Sequence, residues 1–238
     1  MDMTVFMVGL VVFLAVFTQS LSGFGSALVA MALLPAVIGI RIATPLVAVV
    51  ALALEAVLVI LYRESLDVRA VWKIALAAVL GTPLGVFFLT RVDERISLAV
   101  LGVVIAGYAL YALLGLKMPR LENSLWAYLA GLFGGMLGGA YNTAGPPVII
   151  YADCRRWPPD EFKGNLQGYF IIVSLAIVAS HAINGNFTPQ VWSLFLWSLP
   201  FLVVGIVAGL SVDRWLNPVV FRRAVLVLLI VMGLRLIF

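Results

Sequence analysis

The chain has 238 residues, of which 64% are hydrophobic and 11% charged, with a mean hydropathy of +1.16 and a formal net charge of +4. Soluble domains run nearer about 45–50% apolar and about 25% charged, and one core cannot hide this much apolar surface from water. A water-soluble fold and a nucleic-acid-binding role are excluded, and the excess of Lys and Arg is read as the charge bias of membrane loops.

In chain order, apolar runs between charged or Pro/Gly breaks fall at about 4–21, 24–40, 42–62, 70–90, 96–116, 124–140, 144–153, 165–183, 190–210 and 217–238. No Lys or Arg precedes Arg41, so the first run lacks the basic flank of a cleaved signal and is expected to be retained. The runs starting at 4, 42, 70, 96, 165, 190 and 217 reach the roughly 20 residues that one crossing requires. Runs 24–40 and 124–140 are marginal, and 144–153 spans only about 15 Å, half a bilayer core. The lone Cys154 forms no internal disulfide. The expected fold is an all-α polytopic membrane protein.

The second half echoes the first. Val71-Trp72, Gly85 and Val92-Asp93 recur 120 positions later as Val191-Trp192, Gly205 and Val212-Asp213, while Gly23 and Pro35 recur 111 positions later as Gly134 and Pro146. This divides the chain into repeats 1–118 and 119–238 of about five segments each, joined in one membrane domain. Suppose that the N-terminus is outside and that the first and second break regions each enter and return. The inner loops then carry Arg63, Arg69, Lys73, Lys117, Arg120, Arg155, Arg156, Lys163, Arg214, Arg222 and Arg223, leaving Arg41, Arg91, Arg95 and Arg235 outside. The positive-inside rule favours this arrangement, which inverts the two repeats and puts both termini on the outer side of a bacterial inner membrane. Trp72, Trp126, Trp192 and Trp215 fall at segment ends, at headgroup level.

Two Gly-rich stretches are expected to interrupt or re-enter the membrane: Ser20-Leu21-Ser22-Gly23-Phe24-Gly25-Ser26, and the run from Gly134 to Pro147. Non-helical backbone at membrane depth survives only where protein or a water-filled cavity surrounds it. Helices that begin there aim free N–H groups and a positive dipole end inward, which suits a small anion. Ser22, Gly23, Gly25 and Ser26 at the first break, and Asn142, Thr143, Gly145 and Pro146 at the second, are the candidate substrate-binding residues. The spacing of Gly135 and Gly139 also suits plain close helix packing. Asn165 and Gln167, after Lys163, are candidates to line an inner vestibule.

The early Gly23-Phe24-Gly25 break, the Gly145-Pro146-Pro147 close of the second run and the Lys163-Gly164-Asn165 start of the next helix resemble the TauE/SafE family over essentially the whole chain. That resemblance implies a bacterial transporter of sulfite, thiosulfate or organosulfonate anions. Tyr141 and Asn142 stand where smaller residues are more usual in the family.

Glu55 is the deepest ionisable residue, about 12 Å from the end of its run at Arg63. It reads either as a proton carrier or as a structural carboxyl bonded to a neighbouring helix. His181, the single histidine, reads as a proton acceptor near the outer end of its helix or as a hydrogen-bonding interfacial residue. No metal-ligand spacing, nucleophile set or phosphate loop is present in the sequence, so no metal, cofactor or enzymatic role is expected. The expectation is a proton-coupled exporter of a small anion working by alternating access. Its partners are the anion and the bilayer, with a homo-oligomer left open. A cation or neutral-solute carrier and an anion channel are the alternatives, with a membrane enzyme or scaffold further off.

Overall fold

The computed structural model describes residues 3–116, 119–212 and 218–238, and the described residues are helical with short connections. Lys117, Asp213, Arg214 and Trp215 lie outside them. In chain order the helices are α1 (Met3–Ser22), α2 (Ser26–Leu33), α3 (Pro35–Ile38), α4 (Ile40–Leu61), α5 (Val68–Arg91), α6 (Glu94–Leu114), α7 (Ser124–Tyr141), α8 (Gly145–Arg155), α9 (Pro159–Ile183), α10 (Pro189–Val212) and α11 (Pro218–Ile237), with a 3-10 turn at Arg63–Ser65. Six of them are long and apolar enough to cross a membrane: α1, α4, α5, α6, α9 from Glu161, and α10. α11, the seventh run expected to cross, has sufficient length but includes Arg222, Arg223 and Arg235 and is not among the six.

Two boundaries differ from the expectation for stated reasons. The fourteen-residue Gly-rich run is not itself a break: α7 continues through Gly134, Gly135, Gly138 and Gly139 to Tyr141. Glycine costs a helix roughly 1 kcal/mol each, and here close packing offsets that cost. The Lys163-Gly164-Asn165 stretch does not open a helix either, because α9 starts six residues before Asn165. Pro159 at its first position suits a helix N-terminus.

The helices form two compact units. One contains α1 to α3, α4 as far as Val47, α6, α10 and α11; the other contains α4 from Ala48, α5 to Thr90, and α7 to α9. Within the first, α1 packs along α10, α6 along α11, and α2 folds back on α1. Within the second, α8 folds back on α7, and Cys154 O accepts from the Leu121 N–H at 3.4 Å at the base of this hairpin.

The α5–α7 seam shows why small residues are spaced along these helices. A Cβ on Gly131, Gly135 or Gly139 of α7 would lie 2.2, 2.0 or 2.1 Å from the carbonyl oxygens of Ile74, Ala78 and Thr82 of α5. Reciprocally, one on Gly81 or Gly85 would strike the Leu132 or Met136 carbonyl. The backbones are in direct contact, the arrangement by which apolar helices gain van der Waals energy in lipid, where burial alone gives no preference for one partner. α5 turns a stripe of Trp72, Leu76, Leu80, Leu84 and Phe87 outward, all exposed as expected for a lipid-facing side.

Gly139→Val should therefore destabilise the fold by more than about 3 kcal/mol, seen as loss of the monodisperse species in detergent. Gly107→Ala is the control, since no heavy atom lies within 4 Å of its added Cβ. Equal behaviour of the two variants would contradict the seam.

Candidate functional site

Both interruptions are real, and each is built from a left-handed residue followed by a new helix. At the first, Gly23 (φ 85°) ends α1 by donating its N–H to Gln19 O at 2.7 Å, and Gly25 (φ 104°) precedes α2. At the second, Asn142 (φ 56°) ends α7 by donating its N–H to Gly138 O, also at 2.7 Å. Gly23 and Asn142, 119 positions apart, thus end their helices with the same kind of bond. Gly134, which the 111-residue spacing pairs with Gly23, lies inside α7.

The first break contains buried polar groups beyond those expected. The Ser26 hydroxyl and N–H both donate to Gln19 Oε1, while Gln19 Nε2 and Ser20 Oγ are buried without a hydrogen-bond partner. Ser22 is turned to local use: its Oγ lies 2.7 Å from both the Thr18 and Phe24 carbonyls. Gln19 and Ser20 were legible as consecutive polar residues at the end of an apolar run. The opening turn of α2 adds the N–H groups of Ala27 and Leu28, which have no acceptor earlier in their own helix.

At the second break Asn142 and Thr143 are buried, 7% and 1% exposed. Thr143 Oγ1 makes only a long contact of 3.5 Å to Leu137 O. Pro146 and Pro147 occupy the first turn of α8 and remove two of its donors, so Gly145 is the N–H left there. A Cβ on Gly145 would meet Ile149 and Phe170 at ordinary contact distance. This break is poorer in donors than the first.

The second break sits beside the middle of α9. The Tyr169 hydroxyl donates to Ala144 O at 3.4 Å, and a Cβ on Gly134 would be 2.5 Å from the same hydroxyl. A Cβ on Gly138 would touch Ala144, Val173 and Ile177. Glu55 belongs to this neighbourhood. It is the buried acid among the described residues, 5% exposed; the Ser174 hydroxyl hydrogen-bonds its carboxyl, Tyr169 is close by, and Oε2 has no partner. α4 and α9 thereby bring a lone carboxylate to the level at which α7 ends and α8 begins. Tyr169 and Ser174 were not found by sequence reasoning, because a Tyr and a Ser in an apolar helix carry no signal of their own.

The remaining candidates lie further along α9. Asn165 Oδ1 accepts from the Asp67 N–H at 2.8 Å, tying α9 to the connection after α4, and its Nδ2 is buried without a partner. Gln167 is fully buried. Lys163 lies over the Tyr62 ring at 5.8 Å. His181, two residues from the end of α9, is fully buried, and its Nδ1 pairs with Asn186 Nδ2 at 2.8 Å, pinning the turn after α9.

Comparison with known proteins gives a family match over residues 8–236 to the model described as Sulfite exporter TauE/SafE. Two curated relatives are similar. "Probable inner membrane transporter protein TsaS" of Comamonas testosteroni is 27% identical over 170 residues, 71% of each chain. "Probable sulfite/organosulfonate exporter TauE" of Cupriavidus necator is 24% identical over 221 residues, 90% of this chain and 86% of that protein. No solved structure gives a significant match.

The left-handed turn at Asn142 makes a separable prediction. Asn142→Gly should keep thermal stability within about 0.5 kcal/mol, whereas Asn142→Ala should lose about 1–2 kcal/mol to backbone strain. Melting curves in detergent check this. An equal loss in both would assign the stability to the amide side chain instead.

Proposed function

The chain belongs to the TauE/SafE family of membrane transporters, and we propose that it exports a small sulfur oxyanion or organosulfonate by alternating access, with Glu55 taking up a proton as the anion binds. It is a multi-pass transporter of small anions rather than an enzyme. In this reading it resides in a bacterial inner membrane with both termini outside, and 1–118 and 119–238 are inverted repeats. Four features support the repeat. The element order of α1 to α6, with the short α2 and α3 taken as one segment, returns in α7 to α11. Gly85 of α5 meets α7 and Gly205 of α10, 120 positions later, meets α1. Gly23 and Asn142 terminate their helices alike. Glu55 and Ser174, 119 positions apart, touch each other, and equivalent positions meet only on the axis relating them.

The anion is held by neutral donors, because no Lys or Arg stands at the level of either break in the sequence. At the first break these are Gln19 Nε2, Ser20 Oγ and the opening N–H groups of α2 after Gly25, while Ser22, Gly23 and Ser26, whose own donors are taken up within the protein, shape the turn that presents them. At the second they are Asn142, Thr143 and the Gly145 N–H, with Pro146 fixing the turn. Asn165 and Gln167 continue the polar path along α9. Multipoint binding by partial charges is weak enough to permit release at the far side.

The observation that carries the reading is the unpaired Glu55 oxygen beside the second break. Two unit charges about 6 Å apart at an effective dielectric of about 20 repel by about 3 kcal/mol, over a hundredfold in occupancy. An anion at the break and an ionised Glu55 therefore exclude one another, so the loaded state holds the proton on Glu55. His181, two turns along α9 from Ser174, is a second proton station in this scheme.

Proteoliposomes filled with sulfoacetate and a pH dye test it. Wild-type efflux should carry protons out with the anion. Glu55→Gln should keep anion efflux within about tenfold while losing proton movement and pH dependence. Loss of all binding in Glu55→Gln would favour a cation carrier, and wild-type flux that never saturates would favour a channel.

A further inference from the structure

A second polar recess lies away from both breaks, in the unit that holds α5, α7 and α8. It has a volume of about 110 Å³ and is bordered by Arg69 and Lys73 of α5, Glu122 and Ser124 before and at the start of α7, and Tyr151, Arg155 and Trp157 in and after α8. Several times the roughly 10–15 Å³ that one water needs, it has room for a tetrahedral oxyanion. We propose that this recess binds the phosphate headgroup of an anionic phospholipid.

The groups around it are fixed in place. Arg155 Nη1 donates to the Leu121 and Glu122 carbonyls at 3.1 and 3.4 Å, which anchors the guanidinium at the base of the α7–α8 hairpin. Lys73 Nζ donates to Ser124 Oγ at 2.8 Å, linking α5 to α7. Tyr151 is only 8% exposed and packs edge-on against Trp157 at 6.2 Å, so its phenol borders the recess from a buried position. Glu122, the one carboxylate on the border, is engaged by Arg120 at 3.6 Å. Three cations against one partly neutralised acid leave a net positive concavity, the charge pattern that recognises phosphate.

The setting selects a lipid over a free anion. Trp72 directly precedes Lys73, whose ammonium lies 5.7 Å from that ring, and Leu125 and Trp126 directly follow Ser124. All three apolar neighbours are about half exposed, and Leu76 and Leu80 extend the exposed stripe one and two turns along α5. Indole rings mark headgroup depth and the leucines beyond them face acyl chains. A phospholipid seated here satisfies both surfaces at once; a dissolved anion uses only the cations.

The purified full chain in neutral detergent, titrated with short-chain phosphatidylglycerol and followed by its melting temperature, tests this. A saturable rise is expected, absent with phosphatidylcholine of the same chain length. The apparent affinity should fall at least tenfold in Arg69→Gln/Lys73→Gln. Arg69→Gln alone, which leaves the Lys73 and Arg155 hydrogen bonds intact, should lower it about threefold and guards against a folding defect in the double variant. Unchanged affinity in both variants, or an equal rise with phosphatidylcholine, would overturn the proposal. An equal rise with inorganic phosphate at matched concentration would replace the lipid by a free oxyanion and overturn it as well.

Discussion

Hydrocarbon offers no partner to a peptide group, so a membrane helix that stops short must give its loose N–H and C=O groups to something other than lipid. Two helices here, α1 and α7, end in turns that face this demand. After Ser22 and again after Tyr141 a single left-handed residue closes the helix with one 2.7 Å bond, and a shorter helix turns back along the one before it. Gln19 reaches over to Ser26, Tyr169 reaches to Ala144, and the helices alongside carry glycine where backbone meets backbone.

The two breaks solve the problem with different chemistry. The first uses glycines for its turn and is surrounded by short polar side chains, some with donors to spare. The second uses Asn142 and two prolines, has fewer N–H groups, and is accompanied by the buried carboxyl of Glu55.

Much of this was readable from residue order, and the failures have physical causes. Apolar run length located the long helices, since a bilayer fixes that length. Glycine was ambiguous: Gly131, Gly135 and Gly139 recur every fourth residue, which is one helix face, yet glycine also marks the turn at Gly23 and Gly25. Only the conformation separates the two uses, and the second turn is made by an asparagine. The start of α9 was misplaced because Pro158 and Pro159 look like a loop, although proline is at home in a first turn. Glu55 was conspicuous as a lone charge, but its partners come from a helix more than a hundred residues away, and nothing local announces a serine that will meet it.

The account rests on water and solute reaching backbone that the fold buries at these two turns. The direct measurement is labelling of single cysteines by a small anionic thiosulfonate in sealed membranes of a Cys154→Ser chain, with Ser26→Cys and Thr143→Cys compared with Leu54→Cys in unbroken α4. All three positions are at most 5% exposed. Fast labelling at 26 and 143, slowed by sulfoacetate, with position 54 inert, is the predicted result. Labelling at 26 and 143 as slow as at 54, or untouched by sulfoacetate, would contradict it.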